Sequence, residues 1–412
     1  MRKRTEKREL FYVQTGMMIL TWILFLALFS GCESKAASDS LQTEDLAGKT
    51  NEEEMVQDIL DQMEEELALD EIDETLEQSS LGGDYSFSDL VSSFFHGDTE
   101  NGLQQIGHLL SEYFWNELKK NRNNLTQIFV ISILLAVFSS IAESFQSKAI
   151  GETGFFAAYL MLTGLIMSSF YLMSSITGEA LKEVLQFMEA LIPAYALAVT
   201  MVSGSASSIA LYEMTLLLIR GCQWILLYFL LPVIEGYMLI GIANYLGETD
   251  RFSYFGSFLK KGAEQILKWS VGLVAGLNLI QNMILPAYDS VKSGIWQKGL
   301  SAIPGAGPVI SAVTGSLIGS GVLLKNCIGA GGVIFLILLC AVPFLKILIL
   351  SLSFSLCAVL LQPISDKRLI QLFHTAAQSG WLFLQVIICC CTLFFLTMAL
   401  TALSTNLRYY IM

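Results

Sequence analysis

Seven long apolar stretches, at 126–142, 155–176, 187–203, 209–245, 268–286, 328–361 and 379–403, dominate the chain beyond its first third. A membrane-spanning helix needs about 20 mostly apolar residues. Five of the stretches are therefore expected to cross once each, with 187–203 short for the purpose. The other two are too long for one simple crossing. At 1.5 Å per residue, 209–245 and 328–361 would each extend on the order of 50 Å, against a hydrocarbon core of about 30 Å. Pro232 and Pro343 interrupt them, so each is expected to be one tilted, kinked helix or a tight pair. The pattern predicts an all-α, polytopic helical membrane domain over 125–403 with seven or eight spans, and a C-terminal tail at 404–412. The positive-inside rule does not choose between the counts. Seven crossings put Lys260/Lys261 and Lys367/Arg368 outside, splitting 209–245 puts them inside, and Lys119, Lys120 and Arg122 stay outside either way.

The polar third has its own pattern. Residues 1–9 are basic and an apolar run follows from Met17 to Phe29, the layout of a secretory signal. Ser34-Lys35-Ala36 offers small residues for cleavage after Ala36. Phe29-Ser30-Gly31-Cys32 offers a lipidation site at Cys32 as the alternative. Cleavage after Ala36 is favoured and makes 1–36 the signal peptide, and both readings export residues 37–124. Within Glu52–Gln78, Met55, Ile59, Met63, Leu67 and Leu76 recur near helical spacing among carboxylates. That predicts an acidic amphipathic helix, either packed on its neighbour or docking another exported domain. After the break at Gly82-Gly83, a second amphipathic stretch, Phe87–Leu118, brings aromatic residues to the membrane interface.

Composition agrees with this division. The chain has 412 residues, 54% hydrophobic and 15% charged, where soluble domains carry about 25% charged residues. Its net charge is −13, and residues 33–100 hold 21 acidic residues against two lysines. The acidity thus belongs to the exported segment, and the remainder is net basic. The eight cysteines lie in or beside apolar segments. They are expected as small polarizable core residues rather than a disulfide or zinc framework.

Candidate chemistry is sparse. His96 and His108 have no third ligand nearby, so no metal site is expected. No G-x-x-x-x-G-K-[ST], H-E-x-x-H, G-x-S-x-G or C-x-x-C occurs, so no nucleotide or cofactor site and no catalytic residue is assigned. Charges inside apolar segments mark function more often than elsewhere. They are Glu189, Glu213, Arg220, Glu235, Lys325 and Lys346, with Glu213 and Arg220 seven residues apart as a possible intramembrane charge pair. The glycines between Gly305 and Gly332 permit close helix contact or a re-entrant bend.

The run IPGAGPVISAV…VLLKNCIGAGGV…VPFLKILIL…LQPISDKR, with LIPAYALAVTMVSGSASS and LLPVIEGYMLIGIANYLG upstream, resembles the signature region of the stage III sporulation protein AE family of endospore formers. Pro304, Gly305, Lys325, Asn326, Gly329, Pro343, Lys346, Pro363 and Asp366 carry the resemblance. Gln362 departs from it, standing where an acidic residue is usual. The resemblance implies a non-enzymatic subunit in the mother-cell membrane around the forespore. Its partners would be other stage III sporulation A-operon membrane proteins, membrane lipid and, through the complex, stage II sporulation protein Q; no nucleic acid is implied. That complex would be a channel or secretion-like conduit, with residues 37–124 in the intermembrane space. Lys325 and Lys346 are expected at helix ends or subunit contacts. A secondary transporter or small-solute exporter is the alternative, since broken helices and isolated charges occur there too.

Overall fold

The computed structural model describes residues 148–203, 207–246, 252–300, 307–362 and 367–411, with single helical positions between 115 and 137. The expected signal region, almost all of the exported segment and most of the 126–142 stretch lie outside the described residues. Among the described residues there is no strand. Six α-helices carry the structure: α1 (Lys148–Ser203), α2 (Ser207–Ile225), α3 (Leu231–Leu246), α4 (Ser253–Leu300), α5 (Gly307–Leu361) and α6 (Lys367–Ile411), with a π-helical turn, Leu226–Leu230, joining α2 to α3.

One expectation about segmentation changes, and one of two expected alternatives is found. The stretches 155–176 and 187–203, expected to cross separately, belong to one continuous helix of 56 residues. The polar segment between them, Thr177–Gln186, is rich in Ala, Leu, Glu, Lys and Gln. These are strong helix formers, and no proline stands among them to stop the helix. The 209–245 stretch is likewise one helical path and not a tight pair. Pro232 lacks an N–H, and its ring would strike the carbonyl four residues back. The chain answers by widening one turn: the Leu231 N–H bonds to the Leu226 carbonyl, five residues earlier. A π-bulge keeps the helix continuous where a proline would otherwise break it. The 328–361 stretch also stays whole, with Pro343 inside the 55-residue α5.

Among the described residues, four segments are long and apolar enough to cross a membrane: Tyr159–Tyr195, Leu216–Tyr245, Lys325–Leu361 and Lys367–Met398. The chain is a multi-pass helical membrane protein. Within an 18-residue apolar window of each span, 61% of residues on α5 and on α6 are buried, against 33% on α1 and 39% on α2–α3. So α5 and α6 form the inside of the packing and the other two sit around them.

Side-chain registers fix the directions. Phe187 meets Phe335 and Phe354 meets Phe373, at ring-centroid distances of 5.3 and 6.4 Å. These place α1 antiparallel to α5, and α5 antiparallel to α6 across the short link 362–366. Phe170 meets Phe383 at 5.3 Å, so α1 runs parallel to α6. In lipid, close approach through small residues replaces the hydrophobic effect between helices. Gly329 faces the Tyr195 ring, Gly332 faces Leu191 and Gly380 faces Ser351. The Gly315–Gly319 pair lies on α5, and Gly307 opens that helix, so the glycine-rich segment is helical from Gly307 onward.

The seven described cysteines are all free thiols, and Cys222, Cys340, Cys357, Cys389 and Cys390 are buried. They serve as core residues, as their apolar settings in the sequence imply.

Candidate functional site

A polar assembly among the described residues joins α3, the start of α4 and the first half of α6. Gln378 of α6 is its hub. Its Oε1 accepts from the Tyr237 hydroxyl at 2.8 Å and from Lys260 Nζ at 2.9 Å, and its Nε2 lies 2.6 Å from His374 Nε2. Because Nε2 of the amide can only donate, the facing His374 nitrogen accepts and the ring carries its proton on Nδ1.

One turn earlier, Thr375 donates its hydroxyl proton to the Gln371 carbonyl at 2.9 Å and accepts from the Tyr245 hydroxyl at 3.2 Å. Gly241 faces the Thr375 methyl so closely that a Cβ there would stand 2.6 Å from it. At the start of α4, the Asn244 side chain accepts from the Phe252 N–H at 2.7 Å, satisfying one of the donors that a helix start leaves open. The spacing of His374 and Gln378, four apart on one helical face, was visible in the sequence. That Tyr237 and Lys260 meet them was not, because these contacts bridge more than a hundred residues.

A second set of polar contacts ties α1 to α2–α3. The Tyr159 hydroxyl donates to the Ile242 carbonyl at 2.8 Å, Ser174 donates to Glu235 Oε1 at 2.6 Å, and Arg220 lies 3.1 Å from Glu189 Oε1. Burying a lone charge in a bilayer costs about 2.5–3.5 kcal/mol on insertion scales, so the Ser174–Glu235 contact and the Glu189–Arg220 pair both offset that cost. The latter is a charge contact and not an aligned hydrogen bond, since Glu189 Oε1 has no hydrogen-bond donor directed at it. Arg220 is 66% exposed. Because it removes the counter-charge of Glu189, Arg220→Gln is expected to destabilise the body, by no more than the about 2.5–3.5 kcal/mol of a lone charge, readable as a lowered thermal midpoint in detergent.

The residues singled out from sequence fall in several places. Arg220 turns to Glu189 on α1. Glu213 lies on α2, about 10 Å along the same axis from Arg220 at seven residues' separation; its side chain is outside the described ones. Lys325 is 1% exposed and opens the span Lys325–Leu361, yet it lies inside α5 and not at a helix end. Lys346 is half-buried in the middle of α5. Asn326 and Gly329 are half-buried and Pro343 is buried on the same helix. Pro304, Gly305, Pro363 and Asp366 lie outside the described residues. No group of three or more His, Cys, Asp or Glu side chains among the described residues is placed to hold a metal ion.

These features describe a helical membrane body cross-tied by hydrogen bonds. Comparison with known proteins identifies it. The curated Stage III sporulation protein AE of Bacillus subtilis (strain 168) is 24% identical over 397 residues, 94% of this chain and 98% of that protein. No solved structure matches. The sequence model of Stage III sporulation protein AE matches residues 85–405, which takes in nearly all of the helices described above. By that match over most of its length, the chain belongs to the stage III sporulation protein AE family.

Proposed function

We propose that this protein is a non-enzymatic integral membrane subunit of a complex that joins the mother cell to the developing forespore. Membership of a stage III sporulation family carries the reading. Large apolar side chains on the outside of the spans support it: Leu217, Trp224, Tyr228 and Phe229 on α2 and the π turn, and Leu356 and Val359 on α5, are each more than half exposed. Such faces suit lipid and other membrane subunits. The acidic segment 37–124 would face partners in the intermembrane space, among them stage II sporulation protein Q. Basic residues at one end of the bundle (Lys260, Lys261, Lys367 and Arg368) favour that end as the cytoplasmic one.

Deleting the gene in a sporulating host is expected to stop development after engulfment. Normal spores from the deletion strain would refute the reading. Purification of the native protein in detergent separates the alternative. A conduit subunit co-purifies with other membrane proteins of its operon, whereas a secondary transporter is recovered alone and monodisperse.

A further inference from the structure

The polar segment Thr177–Gln186, expected as a link between two spans, instead lies mid-helix on α1. Contacts with the neighbouring span give its depth. Gly178 faces Leu227 and Leu231, at the centre of the span Leu216–Tyr245. Gly178 also lies near the centre of the α1 span, Tyr159–Tyr195. Residues 179–186 of α1 therefore run from the middle of the apolar layer to about 12 Å beyond it, inside a half-thickness of about 15 Å.

At that depth α1 turns polar groups outward. Ser175, Glu179, Lys182, Gln186 and Glu189 follow one another by four, three, four and three residues, which puts them on one helical face. Glu179, Lys182 and Gln186 are exposed. Ser175 donates to Glu179 at 3.0 Å, and Arg220 of α2 extends the stripe through its contact with Glu189. Hydrocarbon cannot cover such a face, because ionised side chains at the bilayer centre are expelled from lipid unless water or a polar partner meets them. The charged groups here, Glu179, Lys182, the half-buried Glu183, Glu189 and Arg220, mix both signs and leave one net negative charge.

We propose that this face of α1, with Arg220, lines a water-filled passage through the membrane body. The inference rests on the conduit reading for its biological purpose, and on packing alone for its location.

The test is thiol accessibility in native membranes of cells making the full-length chain. Glu179→Cys, Lys182→Cys and Gln186→Cys are each compared with Leu273→Cys on α4 and Leu356→Cys on α5, which are exposed apolar positions. The wild-type chain gives the background from its own cysteines. The probe is a positively charged, membrane-impermeant methanethiosulfonate. Labelling at least tenfold faster at 179, 182 and 186 than at 273 and 356 is expected. Equal or slower labelling, as when lipid, a second copy or another subunit covers the face, overturns the proposal. Gln186→Cys removes no charge, so it decides alone if a charge-removing variant fails to accumulate. Labelling does not depend on sporulation. Normal spores from the deletion strain would sink the functional reading and leave the labelling pattern standing, and absent labelling beside arrested sporulation would sink this inference only.

Discussion

Gly380→Ala is expected to destabilise the membrane body by about 1–3 kcal/mol, the usual cost of overpacking, and Gly380→Val by more. Gly380 stands where α6 crosses α5. A Cβ built there would lie 2.8 Å from the Ser351 Cβ and 2.9 Å from its Oγ. Ser351 cannot swing away cheaply. Its Cβ is fixed to the α5 backbone, and its hydroxyl donates to the Ala377 carbonyl at 3.1 Å while being fully buried. The strain must move a helix or break that bond. Gly332 is a milder case, because its nearest neighbour is the Leu191 Cδ2, the end of a side chain that can rotate. Gly272 and Gly276 of α4 have nothing within 4 Å of the added Cβ. Alanine there is expected to be neutral, or stabilising by up to about 1 kcal/mol from helix propensity. Thermal unfolding in detergent reads all four sites; equal midpoints for Gly380→Ala and Gly272→Ala would contradict the close α5–α6 contact.

Gln378→Leu is the second substitution with a large expected effect. Leucine keeps much of the volume and removes the oxygen that Tyr237 and Lys260 share. Tyr237 is only 8% exposed, so its hydroxyl has little access to water in compensation. Leaving such a donor without its acceptor costs about 1–3 kcal/mol. Lys260 is only half-buried and contributes less, because it can turn toward solvent. Gln378→Glu retains an acceptor for both donors and adds a charge opposite Lys260. Near wild-type stability is expected, with His374 changing tautomer to donate from Nε2. A cycle with Tyr237→Phe isolates the pair. The double variant Gln378→Leu/Tyr237→Phe should melt higher than additivity of the two singles predicts; strict additivity would mean that the observed 2.8 Å contact contributes nothing.

Both substitutions act where distant segments meet, and that is where sequence reading ran out. Gly380 is an unremarked glycine in an apolar run until Ser351 is brought against it. His374 and Gln378 share a helical face by spacing, but the residues that make them a network come from α3 and α4. Arg220 shows the same limit. Seven residues put it on the face of Glu213, and the structure places its guanidinium 3.1 Å from Glu189 on an adjacent helix.

The sequence by itself determined the class of this protein. Apolar runs of spanning length, low charge and the absence of strand-period alternation leave a helical membrane body as the physical solution, since every backbone polar group in lipid must be satisfied within its own helix. It also determined the acidic composition of residues 33–100 and the family-specific pattern around Lys325 and Pro343. The tertiary structure decided which runs are one helix. Thr177–Gln186 reads as a link because it is polar, yet helix propensity and packing against Leu227 and Leu231 keep it in register. Pro232 reads as a break, yet one widened turn absorbs it. Polarity along a chain reports what water would solvate, whereas the course of a helix in a bundle is set by which neighbours it can touch, and only the assembled fold supplies those.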